Sequence, residues 1–351
     1  MDKQLLFAGA LAAFLTACSS ATPSPSPDAG APHPDGGSTP TPDASYVFPP
    51  SSIFYQDISS ATVDSNSSAV LAHLADAGGW GTPGTSQLTI DFTLALQYAD
   101  NTVQPRAFTP GPSYPTPDCD TTPVPVPPSG WIGGAVNYQC NVAYTDCLLL
   151  VYQGTRLFEL FGTTIAGGTA TGSPFTSQCE VAWDTTRDYW QPGTPYSRGD
   201  QCQSADPSGL PIAPLLATGD ELQAGLVPHA LRFRLPPDRI RSDVFVHPST
   251  HRGLVTGDAL MPPFGARLRL KSTFPVNTLT AGGATLATAL QTYGMYLAAT
   301  GTVPLTLDQS ANGFVSAQDL ASLQPTDFEI VAPPSLAVAW TGACQRTPLV
   351  Q

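Results

Sequence analysis

A mainly β domain, an antiparallel β-sandwich or jelly roll with a few short helices and disulfide staples, is the fold class the sequence predicts. Three observations lead there. Proline (37) and glycine (31) together make up about a fifth of the 351 residues, and they punctuate strands and break long helices. Several short segments alternate apolar and polar residues, the period of a half-buried strand. The seven cysteines, at 18, 119, 140, 147, 179, 202 and 344, leave an even six once the first is set aside. That parity suits a bridged fold in an oxidising compartment.

The elements follow in order. Ser67 to Ala77 reads as a helix with Val70, Leu71 and Leu74 on one face. Gln87 to Tyr98 alternates, so that Leu88, Ile90, Phe92, Leu94, Leu96 and Tyr98 face one way. Pro105 to Pro128 holds nine prolines in 24 residues and is expected to be an extended edge segment tied down by Cys119. Cys147 to Tyr152 and Arg156 to Phe161, joined by Gln153-Gly154-Thr155, form a hairpin. Further strands are expected at Glu180–Asp184, Leu231–Leu235, Asp243–His247 and Ala266–Lys271. Thr218-Gly219-Asp220-Glu221 is a capping box opening one helical turn. Thr285 to Ala298 carries Leu286, Leu290, Tyr293 and Leu297 at helical spacing. Cys179 and Cys202 bracket a loop-rich segment and are expected to pair, leaving Cys119, Cys140, Cys147 and Cys344 for two more bridges.

The N-terminus reads as an address. Lys3 precedes an apolar run, Leu5 to Leu15, too short to cross a bilayer and of signal-peptide length. Leu15-Thr16-Ala17-Cys18 resembles a bacterial lipobox, which predicts cleavage before Cys18 and lipid on its sulfur. Ser19 at the next position resembles the outer-membrane sorting signal of Gram-negative bacteria. Residues 19–46 are almost wholly Ser, Ala, Thr, Pro, Asp and Gly, the composition of a disordered tether. The expected organisation is therefore a signal peptide (1–18), a tether (19–46) and one extracytoplasmic domain (47–351).

Net charge excludes one class of partner. Lys+Arg is 14 against 27 Asp+Glu, a net charge of −13, so nucleic acid is not expected to bind. Basic residues concentrate between His229 and Lys271, where eight Lys and Arg meet three Asp. Arg232 and Arg234 alternate with Leu231, Phe233 and Leu235, and Arg267 and Arg269 alternate with Leu268 and Leu270. If the two strands neighbour each other, a cationic strip results, suited to carboxylate or sulfate groups. The other reading is a strand surface whose arginines pair with acids elsewhere.

His229, His247 and His251 fall in the same window. His247-Pro248-Ser249-Thr250-His251 suits acid–base work or a metal site completed by Asp206 or Glu159; the other reading is two hydrogen-bonded loop histidines. Asp308 to Asp319 has the spacing of a calcium loop, with Asp308, Ser310, Asn312, Phe314 (backbone) and Asp319 as ligands and Gly313 at the sixth position. The other reading is an Asn-Gly turn leading to Ser316 as an N-cap reciprocated by Asp319. Trp183, Tyr189, Trp190 and Tyr196 form an aromatic group that suits sugar stacking or a core. No GxSxG, HExxH or GxxxxGK[ST] signature occurs in the sequence.

Four motifs in order, Ser204-Ala205-Asp206-Pro207-Ser208-Gly209-Leu210-Pro211-Ile212, His229-Ala230-Leu231-Arg232-Phe233, His247-Pro248-Ser249-Thr250-His251 and Tyr293-Gly294-Met295, resemble a family of secreted bacterial proteins without a known activity. The resemblance spans about Cys119 to Cys344 and implies a single extracytoplasmic domain, with no cofactor or catalytic assignment. The resembled proteins carry His just after the position of Cys147, where this chain has Leu148.

The leading functional expectation is a surface-anchored lipoprotein that binds or cleaves an anionic polysaccharide, with the membrane contacted through the lipid alone and no required cofactor. As a lyase, Arg232 and Arg267 would neutralise a uronate while His247, His251 or Tyr293 takes the C5 proton. As a hydrolase, Glu159 and Asp206 would be the paired carboxylates. Convergence of Asp206, His229, His247 and the arginines in one cleft would favour a site. The alternative is a non-catalytic envelope or adhesion module.

Overall fold

The computed structural model describes residues 47–81, 86–143, 145–190, 198–253, 257–344 and 346. The proposed signal peptide, Cys18, the tether and Tyr196 lie outside them. Fifteen strands and three helices build the described part. The first half carries α1 (Ser67–Asp76), β1 (Ile90–Leu94), β2 (Leu96–Tyr98), β3 (Thr109–Pro110), β4 (Leu149–Gln153), β5 (Arg156–Phe161), β6 (Thr164–Ile165), β7 (Phe175–Ser177) and β8 (Cys179–Asp184). The second half carries α2 (Gly219–Ala224), β9 (Leu231–Leu235), β10 (Val244–Phe245), β11 (Arg267–Leu270), α3 (Ala281–Thr292), β12 (Met295–Thr300), β13 (Leu305–Asp308), β14 (Phe328–Ile330) and β15 (Val338–Ala339).

A six-stranded sheet in the order β1-β13-β9-β12-β11-β14 is the backbone of the fold. A second sheet runs β2-β4-β5-β8, and a third, small one runs β3-β7-β6. The protein is thus mainly β and disulfide-stapled, as predicted, but its sheets are mixed: β1 lies parallel to β13, β12 to β9, and β2 to β4. The parallel pairs arise because the chain returns to the central sheet through α3 and through the second sheet rather than by hairpins alone.

Side-chain alternation sets the layers. Leu231, Phe233 and Leu235 of β9 and Leu268 and Leu270 of β11 face α1 and α3, joining Leu71, Leu74, Leu286 and Leu290 in one core. Tyr296 and Ala298 of β12 face the other way and meet Leu157, Val181 and Trp183 of the second sheet. The far side of that sheet, with Leu149, Val151, Phe158 and Leu160, packs on Ile165 and Phe175 of the third. Residues projecting from β9 and β11 opposite the leucines therefore point to the covered side of the sheet, not to solvent.

Two element boundaries differ from the sequence expectation. The single strand expected over 87–98 switches sheets at Ala95. Leu88, Ile90 and Leu94 are buried as the alternation demands, but beyond the switch it inverts. Gln97 turns inward to donate to the Trp131 carbonyl and accept from Tyr138, while Tyr98 is 57% exposed. The helix expected to Ala298 stops at Thr292, because Gly294 takes a left-handed φ of 70° and releases the chain into β12. The capping box is present, with Glu221 N donating to Thr218 and Thr218 N to Glu221. The hairpin closes at Gly154, also left-handed.

The expected Cys179–Cys202 bridge is not formed. Cys119 pairs with Cys179, Cys140 with Cys147, and Cys202 with Cys344. The physical reason is local. The proline-rich segment runs beside β8, with Asp120 N donating to Glu180 O at 2.6 Å, which sets Cys119 over Cys179. The C-terminal segment is held by Gln201, whose side chain bonds Ala339 O and Thr341 N, and this carries Cys344 to Cys202.

Candidate functional site

The cationic strip is internal. β12 lies between β9 and β11, so the two arginine strands are not neighbours. Tyr296 of β12 registers with Arg232 on one side and Arg267 on the other, which puts the arginines on one face as the alternation predicts. That face is the one packed toward the second sheet. Arg232 bonds Asp206, and neither side chain is more than 3% exposed. Arg234 bonds Asp91 at 2.6 Å, with Asp146 behind it. Arg269 bonds Glu329 at 2.8 Å and two backbone carbonyls, of Ile58 and Ala61. The expected solvent-facing strip is corrected to a row of largely buried arginines, because Asp206 covers Arg232, Asp91 and Asp146 meet Arg234, and the segment from Gln56 to Ala61 lies over Arg267 and Arg269.

Arg267 is the exception in its partners. Its guanidinium donates to the carbonyls of Tyr293 and Gln56 and lies 4.9 Å from the Tyr296 ring centroid. It forms no ion pair among the described residues.

The paired carboxylates are also internal. Glu159 projects from β5 between the sheets and accepts from the Trp183 indole and the Ile212 and Ala213 amides. Burial, countered by those three donors, pushes its pKa up to about 7. Asp206 is raised by burial against the pull of Arg232, and also accepts from Ser208. Two adjoining grooves of about 440 and 290 Å³ meet over Asp146, Leu148, Arg232 and Thr300. Their walls carry Asp91, Asp146 and Asp206 against Arg232 and Arg234.

The histidines do not converge. His229 sits 3.1 Å from Glu221 and bonds the Ala230 carbonyl. His247 bonds Asp200 at 2.9 Å and Ser335 at 2.7 Å. His251 bonds the Arg252 carbonyl and meets the Trp340 ring edge-on. Tyr293 borders a separate shallow depression beside α3. No group of three or more His, Cys, Asp or Glu among the described residues could hold a metal ion.

The calcium-loop residues belong to two turns. Asp308 accepts from Ser310 and from Leu96 N, tying the loop to the sheet switch. Asp319 accepts from Ser316 N and from Thr280. Asn312 ends the first turn, and Phe314 is partly exposed beyond it. A calcium ion here would have to compete with each of these donors. Trp183, Tyr189 and Trp190 form a buried cluster with Phe48 and Phe54, which makes them core.

An opening larger than either groove lies elsewhere, a cavity of about 950 Å³ beside β11 and β12. Its lining comes from the turn after Ile53, the start of α1, the loop 259–263 and the segment after β14. Ile58, Val70, Val246, Met261, Val331 and Leu336 give it an apolar character, with Arg267 and Tyr296 among its lining residues. Sequence reasoning missed Tyr296, because the apparent helical period ran through it; Gly294 followed by Met-Tyr-Leu was the signal for a strand. The cavity joins distant segments, and no local pattern announces it.

No family model, curated protein or solved structure matches this chain.

Proposed function

We propose that the protein is a non-catalytic cell-envelope module, anchored through lipid on Cys18, that binds an apolar small molecule. The carrying observation is a division of labour. The arginines, carboxylates and histidines that a catalytic site would use bond one another or backbone inside the molecule, whereas the cavity beside β11 and β12 is lined mainly by apolar residues. A volume of about 950 Å³ lies at the upper end of small-ligand pockets. Two apolar residues of its lining, Leu260 and Leu336, reach solvent, the latter 90% exposed, which makes an apolar entrance.

An anionic polysaccharide is the weaker reading. The grooves over Arg232 and Arg234 carry more aspartates than arginines, and that field opposes a polyanion. Two measurements test the proposal. Anilinonaphthalene sulfonate should bind the native full chain with one-to-one stoichiometry, and no heparin or polygalacturonate should be retained at low salt. Salt-sensitive retention of either polymer, with no saturable dye binding, would restore the polysaccharide reading. For the anchor, metabolic palmitate label should be lost in Cys18→Ala; equal label in the parent and the variant would remove it.

A further inference from the structure

Arg267 poses a specific problem of charge. Its side chain is buried, and an arginine stays protonated in proteins. Arg232, Arg234 and Arg269 each bond a carboxylate. Arg267 has carbonyls and a ring face instead. A buried charge with no carboxylate bonded to it is costly; Asp57 reaches this one only through space, and the guanidinium lines the cavity of about 950 Å³.

We propose that this cavity holds an amphiphilic monocarboxylate, an apolar body bearing one carboxylate, with the head on the Arg267 guanidinium and the body among Ile58, Val70, Met261 and Leu336. The inference rests on the binding-module reading and adds the ligand class to it. The Nε and Nη2 hydrogens are taken by the Tyr293 and Gln56 carbonyls, which leaves Nη1 as the charge-assisted donor for a carboxylate oxygen. Tyr296 lies beside it, and burial raises its hydroxyl pKa, so the hydroxyl stays protonated and able to donate. The remaining charges of the lining set the valence of the head. Arg241 is taken by Asp243 at 2.6 Å and His247 by Asp200. Asp64 lines the same cavity with its carboxylate on Asn66 N. One uncommitted cation facing one fixed acid favours a single negative charge over a phosphomonoester or a sulfated chain. The apolar walls and the exposed Leu336 accommodate the body.

Calorimetric titration of the full chain with dodecanoate, dodecanol and dodecylammonium, each below its micellar concentration, tests the assignment. Dodecanoate should bind at least about tenfold more tightly than dodecanol, and dodecylammonium should not bind. Arg267→Gln should bring the acid and the alcohol to within about twofold of each other. Equal affinity of the two in the parent would overturn the carboxylate assignment and leave the apolar-binding module standing. Binding of none of the three would overturn both. Should Arg267→Gln fail to fold, Leu336→Asp at the exposed rim decides the location. It should weaken dodecanoate by about tenfold or more, and an unchanged affinity would place the ligand elsewhere and overturn the proposal.

Discussion

Arg232 and Asp206 form a buried ion pair where the two grooves meet, with 3% and 0% of their side chains exposed. Removing either partner leaves the other as an uncompensated buried charge. Arg232→Met should therefore destabilise the protein by about 3–5 kcal/mol, and adding Asp206→Asn should recover part of that loss. Urea unfolding of both single variants and the double variant gives the coupling. Additive losses would mean that the pair acts as two independent groups.

Glu180 predicts an acid-side stability optimum. It is fully buried, with one oxygen accepting from Thr122 N and the other without a hydrogen bond among the described residues. Burial pushes its pKa up to about 8 from an ordinary 4.5, against the pull of Thr122 and Arg198. The folded state then holds a proton that the unfolded chain has already released, so stability falls as pH rises from about 4.5 to about 8. Glu159, raised to about 7, adds to the same slope. Glu180→Gln keeps an acceptor for Thr122 and never ionises. It should be near neutral at pH 5 and stabilising by on the order of 1–3 kcal/mol at pH 8. Thermal melts across this range check it, and parallel curves for parent and variant would contradict it.

The His229–Glu221 pair has the same slope on its histidine side and the opposite slope only on its carboxylate side. Burial pulls the His229 pKa down, but the Glu221 charge and hydrogen bond outweigh it and leave it raised above 6.5. Glu221 is lowered: burial would raise it, and His229 and Thr218 overcome that. The pair's contribution is full below the ordinary histidine value and is lost as pH rises through the raised one. On the acid side it is lost as pH falls through the depressed Glu221 value. An NMR titration should find the imidazole midpoint above 6.5 in the parent and lower in Glu221→Gln, where only the Ala230 hydrogen bond still opposes burial. An unmoved midpoint would remove Glu221 as the cause.

Mass mapping under non-reducing conditions should recover three bridged peptides, Cys119–Cys179, Cys140–Cys147 and Cys202–Cys344. Replacing the last pair with serines should cost about 2–5 kcal/mol, since it closes a long loop. A Cys179–Cys202 peptide would contradict this connectivity.

Period-two alternation placed β5, β8, β9 and β11 correctly, because one face of each is apolar and the pattern is local. It also put the four arginines on a common face. It did not say what covers that face, since the second sheet is a long-range partner with no trace in the sequence of β9. The same limit applies to Gln97 and Tyr98: alternation carried past Ala95 gave the wrong face because a strand that changes sheets changes its inside. Thr218 to Glu221 was legible as a capping box because every participant lies within one turn. Disulfide parity was legible; the pairing was not, because it depends on where the proline-rich and C-terminal segments come to lie. The cavity around Arg267 was the least legible feature, drawing its walls from five separate stretches of chain.

The bridges also determine where one peptide-bond scission severs the protein. A nick between Cys202 and Cys344 leaves both pieces in a single covalent molecule, and that span contains every strand of the central sheet except β1. A nick between Cys119 and Cys179 is held in the same way. Two stretches within residues 47–344 lack this protection, the one before Cys119 and the one joining Cys179 to Cys202. Within residues 47–344, a protease acting on the folded protein can shed a fragment with one cut only there, so limited digestion followed by reducing and non-reducing gels should give discrete bands that differ between the two conditions.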